Sequence, residues 1–226
     1  MRRLIIIFLV IGLVWADAAG SAARQDGLSV VPSKASAGSE LVELFPVAVG
    51  EQPVAVTAWS GAEWVARLDP QVSEEAAMIS ATESLVASSG ASLDDIEIAS
   101  ASVDLGQDGE VGIAAVRVPG SRAYDLIDAA VRALYPPATE PAVGWGWAGE
   151  RWIAYYVDRA DPDAGLRVAY PAADTVWLID APVNVEPIVE ALPPQPGPIG
   201  PIVALPQHVE APALGLTASF PEDWAV

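Results

Sequence analysis

The chain has no cysteine, and its 226 residues include one histidine and one lysine. The absence of cysteine excludes disulfides, a thiol nucleophile and a zinc–thiolate site. The histidine, His208, follows a proline-rich stretch in which nothing rigid positions a partner, so it is a poor catalytic base. A Ser-His-Asp triad is disfavoured for the same reason, because its base would have to be His208. We therefore expect no enzyme activity and no resident cofactor.

Positive charge is scarce as well. Eleven lysine and arginine residues stand against 30 aspartate and glutamate residues, which gives a net charge of −19 at pH 7. Such a surface repels phosphate backbones and anionic lipid headgroups. Nucleic acid and anionic membranes are therefore poor partners. Solubility is the default explanation of the charge, and divalent cations or a basic partner also fit it. Hydrophobic residues make up 52% of the chain, which is enough for a folded core.

The N-terminus has the pattern of a secretory signal peptide. Two arginines follow Met1, the apolar run Leu4–Trp15 comes next, and Ala16-Asp17-Ala18 is a small-x-small cleavage site. The alternative is an uncleaved membrane anchor, but a bilayer span needs about 20 apolar residues. The sequence thus predicts a secreted or extracytoplasmic protein with no membrane association after cleavage.

Composition divides the chain into five segments. They are a signal peptide at 1–18, a flexible leader at 19–39, a folded domain at 40–192, a proline-rich linker at 193–213, and a segment at 214–226. The last segment is either a strand that docks on the folded domain or the truncated start of a second domain. The linker assignment depends on prolines, which remove backbone donors and favour extended conformations.

Apolar periodicity predicts an α+β fold for residues 40–192. The expected order is a strand at 54–59, a helix at 73–90, strands at 96–105 and 111–118, a helix at 121–134 and a strand at 152–157. This is the order of the ferredoxin-like βαββαβ unit, with an antiparallel sheet and helices on one face. A hairpin at 166–180 and a short helix capped by Asn184 would add a ββα extension.

Each of the two longer helices carries an apolar stripe for the core. The first stripe consists of Met78, Ile79, Thr82, Leu85 and Val86, and the second of Tyr124, Ile127, Val131 and Leu134.

Three segments carry a family resemblance. Val116–Gly120 contains Arg-Val-Pro-Gly before a helix, and Tyr170–Ile179 contains Tyr-Pro-Ala-Ala-Asp before a helix that ends in Leu-Pro. With Ser92–Ile96 and the export signal, they resemble a loose group of secreted bacterial proteins that share an RVxG–helix and a YPxGDxVxxI–helix–LP pattern. Ala173 stands where glycine is more usual in the group. The resemblance implies the fold and the export, and it implies no activity.

The C-terminal segment carries a second resemblance. Leu214–Val226 is an apolar strand followed by Pro221 and Trp224 in a P-x-x-W spacing, and it resembles the first strand of a PsbP-like domain.

Aromatic residues are the sharper observation for function. Trp145 and Trp147 are two apart and share one face of a strand, and Trp152 and Tyr156 share a face of the next strand. If partly exposed, this set forms a ligand or partner surface. The alternative is core packing of the sheet against helices.

An acidic loop is the candidate metal site. Asp158, Asp161 and Asp163 place three carboxylates within six residues, as hard oxygen ligands for calcium. The loop lacks a closing bidentate glutamate, and Asp, Pro and Gly also serve turn geometry. Both interpretations stay open.

The sequence thus favours a secreted, non-enzymatic binding or interaction module for an unknown protein or small ligand. The alternative is a carbohydrate-active or other hydrolase that uses a pair of carboxylates, one protonated and one ionised. A concave pocket with convergent carboxylates of differing environment would favour the enzyme, and an aromatic patch without them would favour the binding module.

Overall fold

The computed structural model describes residues 28–35, 40–134, 142–157, 166–181, 184–195, 207–211 and 216–220. The predicted signal peptide and the predicted calcium loop lie outside these residues, and so does most of the predicted linker.

The described residues form twelve strands and four α-helices. The strands are β1 (Val30–Val31), β2 (Ala48–Val49), β3 (Gln52–Pro53), β4 (Thr57–Ser60), β5 (Glu97–Asp104), β6 (Glu110–Arg117), β7 (Ala142–Ala148), β8 (Arg151–Val157), β9 (Leu166–Ala172), β10 (Thr175–Ala181), β11 (Gln207–Ala211) and β12 (Leu216–Phe220). The helices are α1 (Gly61–Val65), α2 (Ser73–Ser89), α3 (Ala123–Leu134) and α4 (Glu186–Ala191), with 3-10 helices at Leu41–Leu44 and Gly106–Asp108. None of the described helices combines the length and apolar content that a membrane crossing requires.

Nine strands form one antiparallel sheet in the order β11-β12-β7-β8-β9-β10-β6-β5-β4, and β1, β2 and β3 form a small second sheet. Strand β10 lies in the interior of the large sheet and is buried at all seven positions. A strand that is apolar on both faces belongs inside a sheet that is covered on both sides.

The predicted α+β class with an antiparallel sheet is confirmed, but the ferredoxin-like strand order is wrong. That order would place the first strand inside the sheet, whereas β4 lies at the edge and pairs with β5 alone. Thr57 and Ala58 of β4 are exposed, as expected of a strand at the edge. The predicted ββ extension, β9 and β10, instead lies near the middle of the sheet.

The sheet is covered on both faces, so the expectation of helices on one face is also wrong. Helices α1, α2 and α3 cover one face, here called the helical face, where Leu85, Ile127 and Leu178 lie in one core cluster. Helix α4 and the 3-10 helix at Leu41–Leu44 cover the opposite face around Trp177. Helix α4 follows β10 directly, and its buried Ile188 and Val189 turn toward this second cluster.

The predicted stops and turns are largely confirmed. Helix α2 ends at Gly90, which has φ 75° and donates its N–H to the carbonyl of Val86 at 2.9 Å. Its predicted N-cap is one residue off, because Ser73 is the first helical residue. Strands β5 and β6 pair over their full length around the Gly106–Gly109 turn.

Helix α1 was not predicted, although its signal is present in the sequence. Ser60 and Glu63 form a capping box, in which the Glu63 N–H donates to the Ser60 hydroxyl at 3.2 Å and the Ser60 N–H donates to the Glu63 carboxylate at 3.0 Å.

Parts of the predicted leader and tail belong to the folded unit. Val30 and Val31 pair with β2, so residues 28–35 of the leader lie on the domain. In the segment at 214–226, strand β12 pairs with β7 and extends the large sheet. Residues 216–220 of that segment therefore lie in the sheet of the folded domain.

The two motifs of the family resemblance meet at one end of the sheet. Arg117 lies 3.8 Å from Asp174 and 3.3 Å from Glu97. The Val118 N–H donates to the carbonyl of Asp174 at 3.0 Å, and the Ala123 N–H donates to the carbonyl of Ala173 at 2.9 Å. These contacts fasten the β9–β10 turn to the start of α3, which gives the motifs a structural role.

Ala173 adopts a left-handed backbone conformation with φ 53°, a region that favours glycine. We expect Ala173→Gly to stabilise the fold by about 0.5–1 kcal/mol, because the steric strain removed exceeds the added entropy of the unfolded chain. Urea unfolding followed by circular dichroism measures the change.

The matched control is Gly120→Ala. Gly120 has φ 76°, and a Cβ there would meet nothing within 4 Å, so only the backbone conformation opposes the substitution. It is expected to cost about 1 kcal/mol. A destabilising Ala173→Gly would show that the turn is not strained.

Candidate functional site

The β7–β8 hairpin brings the predicted aromatic residues onto one face. Trp147 pairs directly with Trp152, and Trp145 pairs with Ala154. Directly opposed residues of antiparallel strands project to the same side. The two aromatic sets predicted on separate strand faces therefore form one group on the helical face of the sheet.

Two of these rings form a tight stack. The ring centroids of Trp145 and Trp152 lie 4.0 Å apart, and the ring planes differ by 9°. Tyr124, at the start of α3, lies 5.7 Å from Trp145 and 5.5 Å from Trp152, with its ring tilted by 27° and 30°. Each aromatic pair contributes about 0.5–1.5 kcal/mol beyond its buried area, so the three rings support one another.

The group is open to solvent at two rings. Tyr124 is 41% exposed and Trp147 is 38% exposed, while Trp145 and Trp152 are half-buried. Helix α3 packs mainly over β6, β9 and β10 and reaches β7 through the ring of Tyr124. We call Tyr124, Trp145, Trp147 and Trp152 the aromatic patch.

Tyr156 does not belong to the aromatic patch. It is 5% exposed and lies in the core cluster of the helical face. Its hydroxyl donates to a carboxylate oxygen of Asp128 at 3.3 Å. Burial, and then the negative charge of Asp128, raise the pKa of the Tyr156 hydroxyl well above its usual range. Tyr156 is therefore a core residue. Of the other three predicted residues, Trp147 is exposed, whereas Trp145 and Trp152 are half-buried and Trp145 packs against the core cluster of the helical face.

Gln195 fixes the strand that carries Trp152. The Trp152 N–H donates to the amide oxygen of Gln195 at 3.0 Å, and the Gln195 amide nitrogen donates to the Trp152 carbonyl at 2.6 Å. Nearby, the Tyr170 hydroxyl donates to the carbonyl of Pro193 at 2.7 Å. The first residues of the predicted linker, 193–195, therefore bind to β8 and β9 beside Trp152 and do not lead away from the domain.

Sequence reasoning misassigned Tyr124 to the core stripe of α3. The buried residues of this helix are Ala123, Leu126, Ile127, Ala130, Val131, Ala133 and Leu134. Tyr124 lies about 100° around the helix from Ala123, at the edge of that stripe. The small residues Ala123 and Ala130 lie at the centre of the stripe, and they were the available signal.

Carboxylates gather in one open groove of about 470 Å³, which is lined in part by Asp94, Asp95 and Glu97. Hydrogen bonds from the hydroxyl and the N–H of Ser92 lower the pKa of Asp95, so this group stays ionised. A hydrolytic pair needs one carboxyl with a raised pKa. Burial raises the pKa of Asp180, but Asp180 is bound to Arg167 and does not line this groove.

The predicted calcium residues Asp158, Asp161 and Asp163 lie outside the described residues. Within the part of the chain that the structure describes, no three metal-ligating side chains lie close enough to hold an ion.

His208 lies in β11, opposite Ser219 of β12.

Comparison with known proteins gave no match: no protein-family model, no curated protein and no solved structure matches this chain.

Proposed function

We propose that this protein is a non-enzymatic, extracytoplasmic binding module that holds a partner protein or small ligand on the aromatic patch. The observation that carries the proposal is the pair of exposed rings, Tyr124 and Trp147, beside the Trp145–Trp152 stack. The pattern of residues 1–18 supports the export.

Exposed aromatic rings of this kind are costly to keep in water. Singly scattered apolar side chains are normal on a surface, but a contiguous group marks an interaction site. Tryptophan and tyrosine are also the residues most enriched among the energetic centres of binding surfaces.

The aromatic patch is held rigid before any ligand arrives. Trp145 and Trp152 are fixed by strand pairing and by their mutual stack, and Gln195 fixes the backbone of Trp152. Binding to a surface that is already ordered loses less side-chain entropy, which favours affinity.

A ligand screen tests the proposal on residues 19–226. The melting temperature is measured with and without added calcium, oligosaccharides and peptides, because a ligand that binds the native state raises its stability by mass action. At a concentration about 100 times its Kd, a ligand adds about 2.7 kcal/mol. We expect Trp147→Ala and Tyr124→Ala to abolish the thermal shift of any ligand that binds the patch.

Val72→Ala is the matched control, because Val72 is 42% exposed and lies at the start of α2, away from the aromatic patch. This variant should retain the full shift. A shift that survives both patch substitutions would place the binding site elsewhere and contradict the proposal.

A further inference from the structure

Charge around the aromatic patch narrows the class of its ligand, on the premise that the patch is the binding surface proposed above. Asp125 follows Tyr124 on α3, and Asp128 lies one turn further along the helix. Glu150 lies in the turn that joins β7 to β8. The whole chain has a net charge of −19. Anionic ligands are repelled by this surface, and cationic ligands are attracted.

Two of these carboxylates are available to a ligand. Glu150 is exposed and forms no ion pair with the described residues. The side chain of Asp125 is 58% exposed, and its ion pair within the described ranges is with Arg122, itself 72% exposed, at 3.9 Å. A solvent-exposed pair of this length contributes little, so exchanging it for a ligand cation costs little.

The exposed ring faces carry the negative electrostatic potential that a cation requires. Trp145 and Trp152 each use one ring face on the other, whereas Trp147 has no ring contact among the described residues. An aromatic face is electronegative and attracts an ammonium or guanidinium group above it. The protein makes this contact internally as well, because Arg67 lies 5.1 Å from the ring of Trp59.

We propose that the aromatic patch binds a basic segment of a partner protein. An arginine or lysine side chain of that segment lies over the open face of Trp147 or Tyr124, and its charge is met by Glu150 and Asp125. A neutral sugar also stacks on aromatic rings and donates hydroxyl hydrogen bonds to carboxylates, but it brings no positive charge to offset theirs. The charges of Glu150 and Asp125 therefore favour a basic peptide over a neutral ligand.

Calorimetric titration of residues 19–226 tests the proposal with two synthetic peptides. One is a twelve-residue alternating Arg-Gly peptide, and the other carries citrulline, which is neutral, in place of each arginine. We expect the arginine peptide to bind and the citrulline peptide to bind at least about tenfold more weakly. Raising the salt concentration should weaken the arginine peptide only, because screening acts on exposed charge.

Three variants locate the contact. Trp147→Ala and Glu150→Gln are each expected to weaken the arginine peptide by about 5- to 20-fold. Glu51→Gln is the matched control, because Glu51 is exposed in the turn between β2 and β3, on the opposite face of the large sheet. It should change the affinity less than about twofold.

The outcomes separate this inference from the proposed function. Arginine-peptide binding that is unchanged in Trp147→Ala would be general attraction to an acidic protein and would overturn the inference. A neutral oligosaccharide that binds in a Trp147-dependent manner, with no effect of the arginine peptide, would keep the proposed function and replace its ligand class. If no probe depends on Trp147 or Tyr124, both proposals fail.

Discussion

Replacing Arg167 with methionine is expected to destabilise the fold by about 3 kcal/mol at neutral pH. Arg167 and Asp180 lie on neighbouring strands, and the Arg167 Nε is 3.2 Å from a carboxylate oxygen of Asp180. The Asp180 side chain is only 7% exposed, and its other oxygen is buried with no hydrogen-bond partner among the described residues. Removing the guanidinium leaves a buried charge with no counter-ion, which is the costly way to break such a pair.

The loss should depend on pH in a defined direction. Burial already raises the pKa of Asp180, and loss of the attraction to Arg167 raises it further. The native state then binds a proton more readily than the unfolded state does, so protonation stabilises the fold. Arg167→Met should therefore regain stability as the pH falls from neutrality toward the ordinary carboxyl pKa, and lose it as the pH rises through the folded-state pKa.

Urea unfolding at several pH values measures this effect, and Arg167→Met/Asp180→Asn is the control. The double variant has no carboxyl to ionise at this position, so it should be more stable than Arg167→Met and should lack the regained stability at lower pH. Equal losses in the single and double variants would show that the charge of Asp180 is not the cause.

Truncating Trp177 and Trp147 to alanine should lower the free energy of unfolding by very different amounts. Trp177 is fully buried and meets Phe45 edge-on, with ring centroids 5.0 Å apart. Trp177→Ala is expected to cost about 3–5 kcal/mol, because it removes a large buried ring and leaves a cavity. Trp147 is 38% exposed, and Trp147→Ala should cost less than about 1 kcal/mol.

The comparison uses urea unfolding followed by far-ultraviolet circular dichroism, because removal of a tryptophan alters fluorescence directly. Trp177→Phe is a milder variant that keeps an aromatic ring and removes an indole N–H that has no partner among the described residues. It should lose less stability than Trp177→Ala. A loss at Trp147 as large as that at Trp177 would assign the aromatic patch to the core.

Helix ends and tight turns were predictable, because residues close together in the sequence determine them. Gly90 ended α2, and the Gly106–Gly109 turn joined β5 to β6. The predicted cap Asn184 lies one residue before the N-cap Val185 of α4, and its side chain accepts the Glu186 N–H at 3.0 Å. Apolar periodicity did not include β7 in the expected order of elements, and only the spacing of Trp145 and Trp147 suggested a strand there. Gly144 and Gly146 alternate with its tryptophans, and glycine is a poor strand former.

Strand order was not predictable in the same way, because one series of helices and strands is compatible with more than one sheet. The apolar run Val176–Ile179 of β10 is typical of an interior strand, but the sequence analysis placed this strand in an extension. The exposure of Thr57 and Ala58 follows from the edge position of β4, which is a tertiary property.

For the candidate site, spacing predicted which tryptophans share a face, and it left their exposure open. Exposure depends on how far α3 extends across the sheet, and the pattern along β7 does not contain that information. Tyr124 shows the same limit, since a residue at the edge of an apolar stripe becomes core or surface according to its neighbours.

The measurement that tests the central claim most directly is a two-dimensional proton–nitrogen NMR titration of the tryptophan indole N–H groups with the Arg-Gly peptide. The indole signals are assigned with single Trp→Phe variants. If the aromatic patch is the binding surface, the signals of Trp145, Trp147 and Trp152 shift together with one dissociation constant, while those of Trp59, Trp64 and Trp177 stay in place. Shifts confined to Trp59 and Trp64, or no saturable shift of any indole signal, would contradict the account.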